Sequence, residues 1–544
     1  MYDYIITGAG PAGCVLAARL SADPSIKVLL LEAGPEDKDP YIHWPAGFYK
    51  MTTSTKNAWG YSTVPLAHLD GRRMVFPQGR VLGGGGSINA QVFTRGNAMD
   101  YDEWASEGCA GWSYEEILPY FRRFEDNERL SNRWHGSGGP IAVSDPISPH
   151  RMAKVFVRAA QEAGLPYNPD FNGERQEGCG LYQVTQRDGR RCSAAVGHLR
   201  PAMARPNLTV RTRAQATRIL IEHGRAVGVE YVEGGARQTA RAEREVLVTS
   251  GAVGSPKLLL LSGIGPVDEL RALGIEVVHD LPGVGRNLQD HIDVYVISEV
   301  SAPHSYNKHT QTHRQLWAGV QYYLFGSGPV TSNLAEAGAF WFADRAARSP
   351  DMQFHFLPGS GLEAGVTQLG EHGCTLNSCF LRPRSRGTVR LASADPFADP
   401  LIDPNYFAEE YDLTTSIAGF RLAREIMAQP AFRPYLRAER QPGPDVQSDV
   451  ELIAYARRHG KTDYHPVGTC RMGVDETAVV DPELRMHGIA GLRVCDSSIM
   501  PRLVSSNTNA PTIMIGEKAA DLVRGIGAVP QPAPQSAAEL RQAV

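Results

Sequence analysis

Cysteine is sparse and unpatterned in this chain. Eight are scattered through 544 residues, with no CxxC pair and no His/Cys cluster at zinc spacing. A disulfide-stapled fold and a zinc motif are thereby disfavoured, and the expectation is reduced thiols, no metal and a cytoplasmic setting. Long apolar runs are missing too. The most tempting, Leu258-Leu259-Leu260-Leu261, stops at Ser262-Gly263, far short of the ~18 residues that cross a bilayer. At most, peripheral contact with an inner membrane is expected. Nor is there an excess of positive charge: 55 Lys and Arg against 59 Asp and Glu give a net charge of −4 and a pI near 6.5. That leaves no basic footprint for nucleic acid. No fixed-period repeat is visible. With a strand expected to start at Tyr2, no leader is expected ahead of it.

What is present begins at once. Tyr2 to Thr7 reads as a short buried strand, and Pro11 to Leu20 as the helix behind it. Between them lies Gly8-Ala9-Gly10-Pro11-Ala12-Gly13. In a dinucleotide fingerprint Gly8 permits the tight turn, Gly10 lets backbone approach a pyrophosphate, and Gly13 lets the helix pack close to the strand. A second strand, Lys27 to Leu31, ends at Glu32, 22 positions beyond Gly10. A carboxylate there accepts hydrogen bonds from ribose hydroxyls, whereas an arginine would suit a 2′-phosphate, so NADP is disfavoured.

The rest divides by composition. At about 150 residues per domain the length suggests three to four units, or two domains of which one is interrupted. From Val210 to Val248 short blocks alternate apolar and polar residues, which predicts an antiparallel or mixed sheet joined to the nucleotide fold. From about Ser301 to Gly460 aromatics and histidine are richer, and Gln353 to Leu357 and Thr388 to Leu391 read as strands of a separate sheet. Val529 to Gln535 is a Pro/Gln/Ala tail expected to lack a fixed fold.

Three further segments carry chemistry. Gly79 to Ala90 places four glycines, Gly83 to Gly86, before Asn89 and Ala90, a composition that brings backbone against a planar ring or phosphate. Gly251 to Gly265 follows another strand and reads as a second close strand-to-helix approach. Near the C-terminus a strand ends at Asp496, and Asn507-Thr508-Asn509-Ala510-Pro511-Thr512 precedes a helix. Far from the fingerprint, His465 sits in Tyr464-His465-Pro466-Val467-Gly468-Thr469.

Together these motifs resemble the glucose-methanol-choline (GMC) oxidoreductase family over nearly the whole length, most of all its bacterial FAD-dependent alcohol dehydrogenases and choline dehydrogenase-like enzymes. The resemblance implies an α/β protein: a Rossmann-like FAD-binding domain with an interleaved α+β substrate domain on its own sheet. The expected division is 1–150, 193–300 and 455–528 for FAD, 151–192 and 301–454 for substrate, and 529–544 as a flexible tail. It also implies FAD held by Gly8, Gly10, Gly13, Glu32, Gly83, Gly84, Asn89, Ala90, Asp496, Pro511 and Thr512. His465 becomes the catalytic base and Asn509 its partner. Members that attach FAD covalently carry histidine where this chain has Ile88, so noncovalent FAD is expected.

The implied reaction is oxidation of a primary alcohol to the aldehyde, by hydride transfer to flavin N5, with a quinone or other acceptor taking the electrons. Neutral imidazole, ordinarily near pKa 6.5, suits removal of the hydroxyl proton. Asn509 would orient the hydroxyl without adding charge. An alcohol oxidase using oxygen, a choline dehydrogenase with Glu336 facing the cationic head group, and a redox-silent flavin lyase are the alternatives. His355 could line the pocket or pack in the core, and Trp44, Trp59 and Tyr61 lie in a loop-rich stretch that could cover the flavin.

Overall fold

The computed structural model describes residues 1–526 apart from 302, 364–365 and 367–371. The Pro/Gln/Ala tail lies outside the described residues. Two seven-stranded sheets organise the chain.

In the first sheet Leu208–Thr212, Val28–Glu32, Tyr2–Thr7, the end of Ala236–Val248 and Leu492–Val494 run parallel. Every residue of Val28–Glu32 is buried, as befits a parallel strand covered on both faces, which is why its sequence is continuously apolar rather than alternating. The helix Pro11–Leu20 buries eight of its ten residues. It packs against the helix Asn509–Arg524 where Gly516 meets Ala12: a Cβ at Gly516 would lie 2.9 Å from Ala12 Cα. The expected antiparallel addition is the hairpin pair Ala214–Glu222, Arg225–Glu233 and the first half of Ala236–Val248. One long strand thus serves both parts of the sheet.

The second sheet has the order Leu436–Gln441, Ile292–Val300, Gly373–Phe380, Met352–Leu357, Ala337–Trp341, Gly178–Leu181, all antiparallel. Alternation along Met352–Leu357 sorts its side chains. Met352, Phe354 and Phe356 join a core with Phe156, Ile417 and Phe420 from the helices Arg151–Glu162 and Glu410–Met427, while His355 and Leu357 face the other way, into a cavity between the sheets.

The structure differs from the expected division in two places. Ile292–Val300, on the FAD side of the expected boundary, is an inner strand of the second sheet, and Lys461–Thr462 pairs with it. Thr388–Arg390 pairs only with Leu401–Asp403, outside that sheet. The alternating pattern that marks a strand carries no information about which sheet accepts it.

Candidate active site

One continuous cavity runs from Gly8, Gly10 and Glu32 to His355, Asp463, His465, Asn507 and Asn509. Its nucleotide end is built by backbone. Gly8 adopts φ +103, and a Cβ there would lie 2.5 Å from Thr249 O; a Cβ at Gly13 would lie 2.0 Å from Gly8 O. Gly10 is different, with a single neighbour at 3.8 Å, so its face toward the cavity is open. The helix beginning at Pro11 has no side-chain cap, which leaves its first N–H groups for an anion. Glu32 is buried at the same end. Its carboxylate accepts from Ala9 N–H at 2.9 Å and Gly34 N–H at 2.8 Å, and burial pushes its pKa up to about 7 against these bonds.

The glycine-rich loop closes over this turn. Gly83 and Gly84 have φ +90 and +54, Gly83 N–H donates to Ala9 O at 2.7 Å, and a Cβ on Gly84 would lie 2.8 Å from Gly10 Cα. A Cβ on Gly85 would meet nothing within 4 Å. Ile88 is buried and lines the cavity. Asn89 is held by Arg191, which donates through Nη1 to Asn89 Oδ1 at 2.6 Å and through Nη2 to Asn89 O at 2.8 Å. Arg191 also reaches Ile42 O and Gly86 O, and its full burial lowers its pKa to about 9. Sequence reasoning missed this buried arginine because no motif surrounds it. Ala90 O accepts from Asn333 Nδ2 at 2.8 Å.

Asp496 acts as a clasp. It accepts from Gly251 N–H at 2.8 Å, Ser255 Oγ at 2.6 Å and Ser498 N–H at 2.8 Å, and so ties the strand Leu492–Val494 to the helix Gly251–Leu261. Asn509, Pro511 and Thr512 form the first turn of the C-terminal helix; Thr512 Oγ donates to Thr508 O at 2.7 Å and lines the cavity, whereas Pro511 is buried behind it.

The other end is made of side chains brought together by strand pairing. The ladder Ile292↔Thr462 continues through Asp463 N–H to His291 O and on to Gln289↔Val467. It sets His465 beside His291, with Asp290 accepting the His465 N–H at 2.7 Å. The tautomers follow by accounting. Leu381 O can only accept, so His291 Nε2, 3.0 Å away, carries the proton and His291 Nδ1 does not. His465 Nδ1, 3.0 Å from His291 Nδ1, must then donate. His465 Nε2 is left with its lone pair, and Asn507 Nδ2 donates to it at 3.1 Å. The Asn507 orientation is consistent, since its Oδ1 accepts from Thr94 Oγ and Gln353 Nε2, each at 3.0 Å.

Asn507 is the asparagine hydrogen-bonded to His465, while Asn509, expected to orient the same hydroxyl, lines the cavity without a bond to that ring. Asn509 opens a helix and its side chain turns to the glycine loop, 3.1 Å from the position a Gly86 Cβ would take. Its Oδ1 is buried and has no hydrogen-bond partner among the described residues, yet Asn509 lines the same cavity. One expectation needs correction: the His465 imidazole does not keep its ordinary pKa. Burial drives it well below 6.5, with His291, His355 and Lys461 adding to the fall, and burial takes His291 to about 3. Both rings are neutral at physiological pH.

Around them lie buried acids. Asp463 is 3.4 Å from His465 Nδ1, and burial raises it to about 7. Lys461 pairs with Asp293 at 2.7 Å and Glu363 at 3.3 Å. His291, Asp463 and His465 present ligand atoms within 4.8 Å of one another, but a metal there would have to break the His291–His465 hydrogen bond. His355 lines the cavity, as do Trp59 and Tyr61, whose rings stack at 5.5 Å; Trp44 does not. Glu336 is also off the cavity, its carboxylate accepting from Tyr306 OH at 2.7 Å and His150 N–H at 2.6 Å. All eight cysteines are free and buried, and no helix among the described residues is long and apolar enough to cross a membrane.

Comparison with known proteins agrees with this architecture. A Pseudomonas putida protein named alcohol dehydrogenase (acceptor) is 45% identical over 527 residues, covering 96% of both chains. Human mitochondrial choline dehydrogenase is 42% identical, over 96% of this chain and 90% of its own. The crystal structure of pyridoxine 4-oxidase from Mesorbium loti superimposes with a TM-score of 0.88 at 30% identity, over 96% of this chain and 99% of that one. Residues 2–293 and 383–516 match the N-terminal and C-terminal family models of GMC oxidoreductases, and the chain belongs to that family.

Proposed function

We propose that this protein oxidises a primary alcohol to its aldehyde with noncovalently bound FAD, and passes the electrons to a quinone or another acceptor. The observation that carries the reading is the unprotonated Nε2 of His465, fixed by the chain Leu381 O, His291, His465 and facing a cavity whose far end suits a dinucleotide. The cavity fits FAD on its own features. Gly10 and Gly85 leave backbone open to a ligand, Glu32 waits buried at the ribose end, and Asn509 Oδ1 is an orphaned acceptor beside the glycine loop.

In this reading Gly8, Gly10 and the helix N-terminus hold the pyrophosphate, Glu32 the ribose, and Gly84, Asn89, Ala90 and Thr512 the remainder, while Gly13, Gly83, Asp496 and Pro511 fix the backbone that makes these contacts. Ile88 offers no nucleophile to the flavin. FAD, when bound, supplies the two-electron acceptor for the hydride leaving the alcohol's α-carbon. The chain supplies the proton chemistry. His465 Nε2 takes the hydroxyl proton, and Asn507, with Asn509 nearby, donates to the oxygen as negative charge grows on it. The imidazolium so formed is stabilised by Asp463 near Nδ1 and by the neutral His291 that accepts its other proton. Glu336 is spent on Tyr306 and the His150 amide, so it offers no counter-charge to a cationic head group such as choline's.

Anaerobic mixing of the FAD-loaded enzyme with a panel of primary alcohols tests this. Bleaching of the flavin, followed by recolouring with a soluble quinone, is the expected result. No bleaching with any alcohol would point to the redox-silent lyase, and rapid peroxide release in air would point to an oxidase.

A further inference from the structure

The helix Thr312–Phe325 is amphipathic in an unusual sense: its apolar stripe faces outward. Ala318 and Tyr322 are buried and fix it to the body of the protein. On the opposite side Leu316, Trp317, Tyr323 and Leu324 are 69%, 59%, 67% and 71% exposed. The spacing i, i+1, i+7, i+8 puts Leu316, Trp317, Tyr323 and Leu324 on one face. Isolated exposed apolar residues need no explanation, but a contiguous patch does. Among the described residues, six of the sixteen exposed large apolar side chains fall between Leu316 and Phe325.

Charge is the second, independent observation. From Val300 to Ala335 the sequence has no Asp or Glu, while it carries Lys308, Arg314 and three histidines. The exposed Arg190, in the short strand Arg190–Arg191, acts electrostatically on Tyr322. An apolar, aromatic face carried on a segment that has basic residues and no acid of its own matches an anionic lipid surface, where the helix lies in the plane of the headgroups without spanning. A second copy of the chain fits less well. A two-fold contact through this face would bring together two segments that carry basic residues and no acid.

From this we infer that Thr312–Phe325 is a membrane-docking helix, which seats the enzyme on anionic phospholipid with Leu316, Trp317, Tyr323 and Leu324 among the acyl chains. Its position also matters for the cavity. The Trp44 ring meets Tyr322 and Tyr323 edge-on at 6.5 and 6.2 Å, and Phe48, which lines the cavity, packs on Tyr306 just before the helix. Docking therefore brings the cavity wall to the lipid surface.

Flotation of the FAD-loaded enzyme tests the inference, with vesicles of phosphatidylcholine alone and of phosphatidylcholine with phosphatidylglycerol. The wild type should float with the anionic vesicles and be released as salt is raised. The double variant Trp317→Gln/Leu324→Gln should partition at least about tenfold less, given the apolar area removed from the lipid. Its FAD content and its flavin reduction by a water-soluble alcohol should be unchanged, showing that the fold is intact. Three results would overturn the inference: a wild type that does not float with anionic vesicles, equal flotation with phosphatidylcholine alone, or a variant that floats as well as the wild type. Light scattering that shows a wild-type dimer dissociated by the double variant, with neither protein floating, would assign the face to self-association instead.

Discussion

The two ends of the cavity are made in different ways. At the Glu32 end the determinants are backbone: glycines forced by contacts of 2.0 to 2.8 Å that no Cβ could share, a helix with uncapped N–H groups, and one acid at the end of a strand. They lie close together in sequence. At the His465 end they are side chains of His291, His355, Asp463, His465 and Asn507, drawn from strands and loops more than 200 residues apart, of which His291, His465 and Asn507 are joined by a single hydrogen-bonded chain. Binding rests on steric necessity, and the proton chemistry on a polar network in which each member fixes the next.

That contrast predicts how each end fails. His465→Ala removes the acceptor of the proton. It should slow anaerobic flavin reduction by about 10²–10⁴-fold with FAD retained, as measured by stopped-flow absorbance. Asn507→Ala, which removes the donor to Nε2 and releases Thr94 and Gln353, should slow it by about 10²-fold. Asn509→Ala, with no bond to His465, should cost less, and the reverse order would make Asn509 the main donor to the hydroxyl oxygen. At the other end Gly84→Ala places a methyl against Gly10 and strains a positive φ. Strain of about 1–3 kcal/mol there should weaken FAD binding about tenfold or more in a fluorescence titration, and leave the rate of the FAD-loaded fraction near wild type.

The smallest expected effect concerns Glu32 in FAD-free protein. Its folded pKa, about 7, lies above the ordinary 4.5 because burial disfavours the carboxylate. A raised acid favours the folded state when protonated. Its contribution is fully present below about pH 4.5 and is lost as pH rises toward 7. Glu32→Gln should therefore stabilise the FAD-free protein above pH 7, on the order of 1–3 kcal/mol, and flatten the fall in its melting temperature between pH 5 and 7. The same variant should weaken FAD binding. A variant that melts as the wild type does at every pH would show that Glu32 is solvated in the folded protein.

The same contrast explains what could be read from the chain. The Rossmann-like strand, turn and helix and the acid at Glu32 were legible because a dinucleotide turn leaves few residues free at each position. The second sheet was legible as strands but not in its membership: Ile292–Val300 carries no mark of the sheet it joins. His465 stood out through its motif. His291, Asp463 and Arg191 did not, since a buried polar residue is defined by partners that only the fold brings near. Asn507 and Asn509 are two residues apart, and only the direction in which the helix begins decides which of them meets His465.

The most direct measurement is the pH profile of anaerobic flavin reduction by a saturating primary alcohol, in the wild type and in His465→Ala. Burial and the neighbouring rings hold the His465 imidazole well below 6.5. The wild-type rate should therefore stay flat through neutrality and fall only on an acid limb well below pH 6.5, and that limb should vanish in His465→Ala. A limb at or above pH 6.5 that persists in His465→Ala would contradict the assignment of His465 as the base.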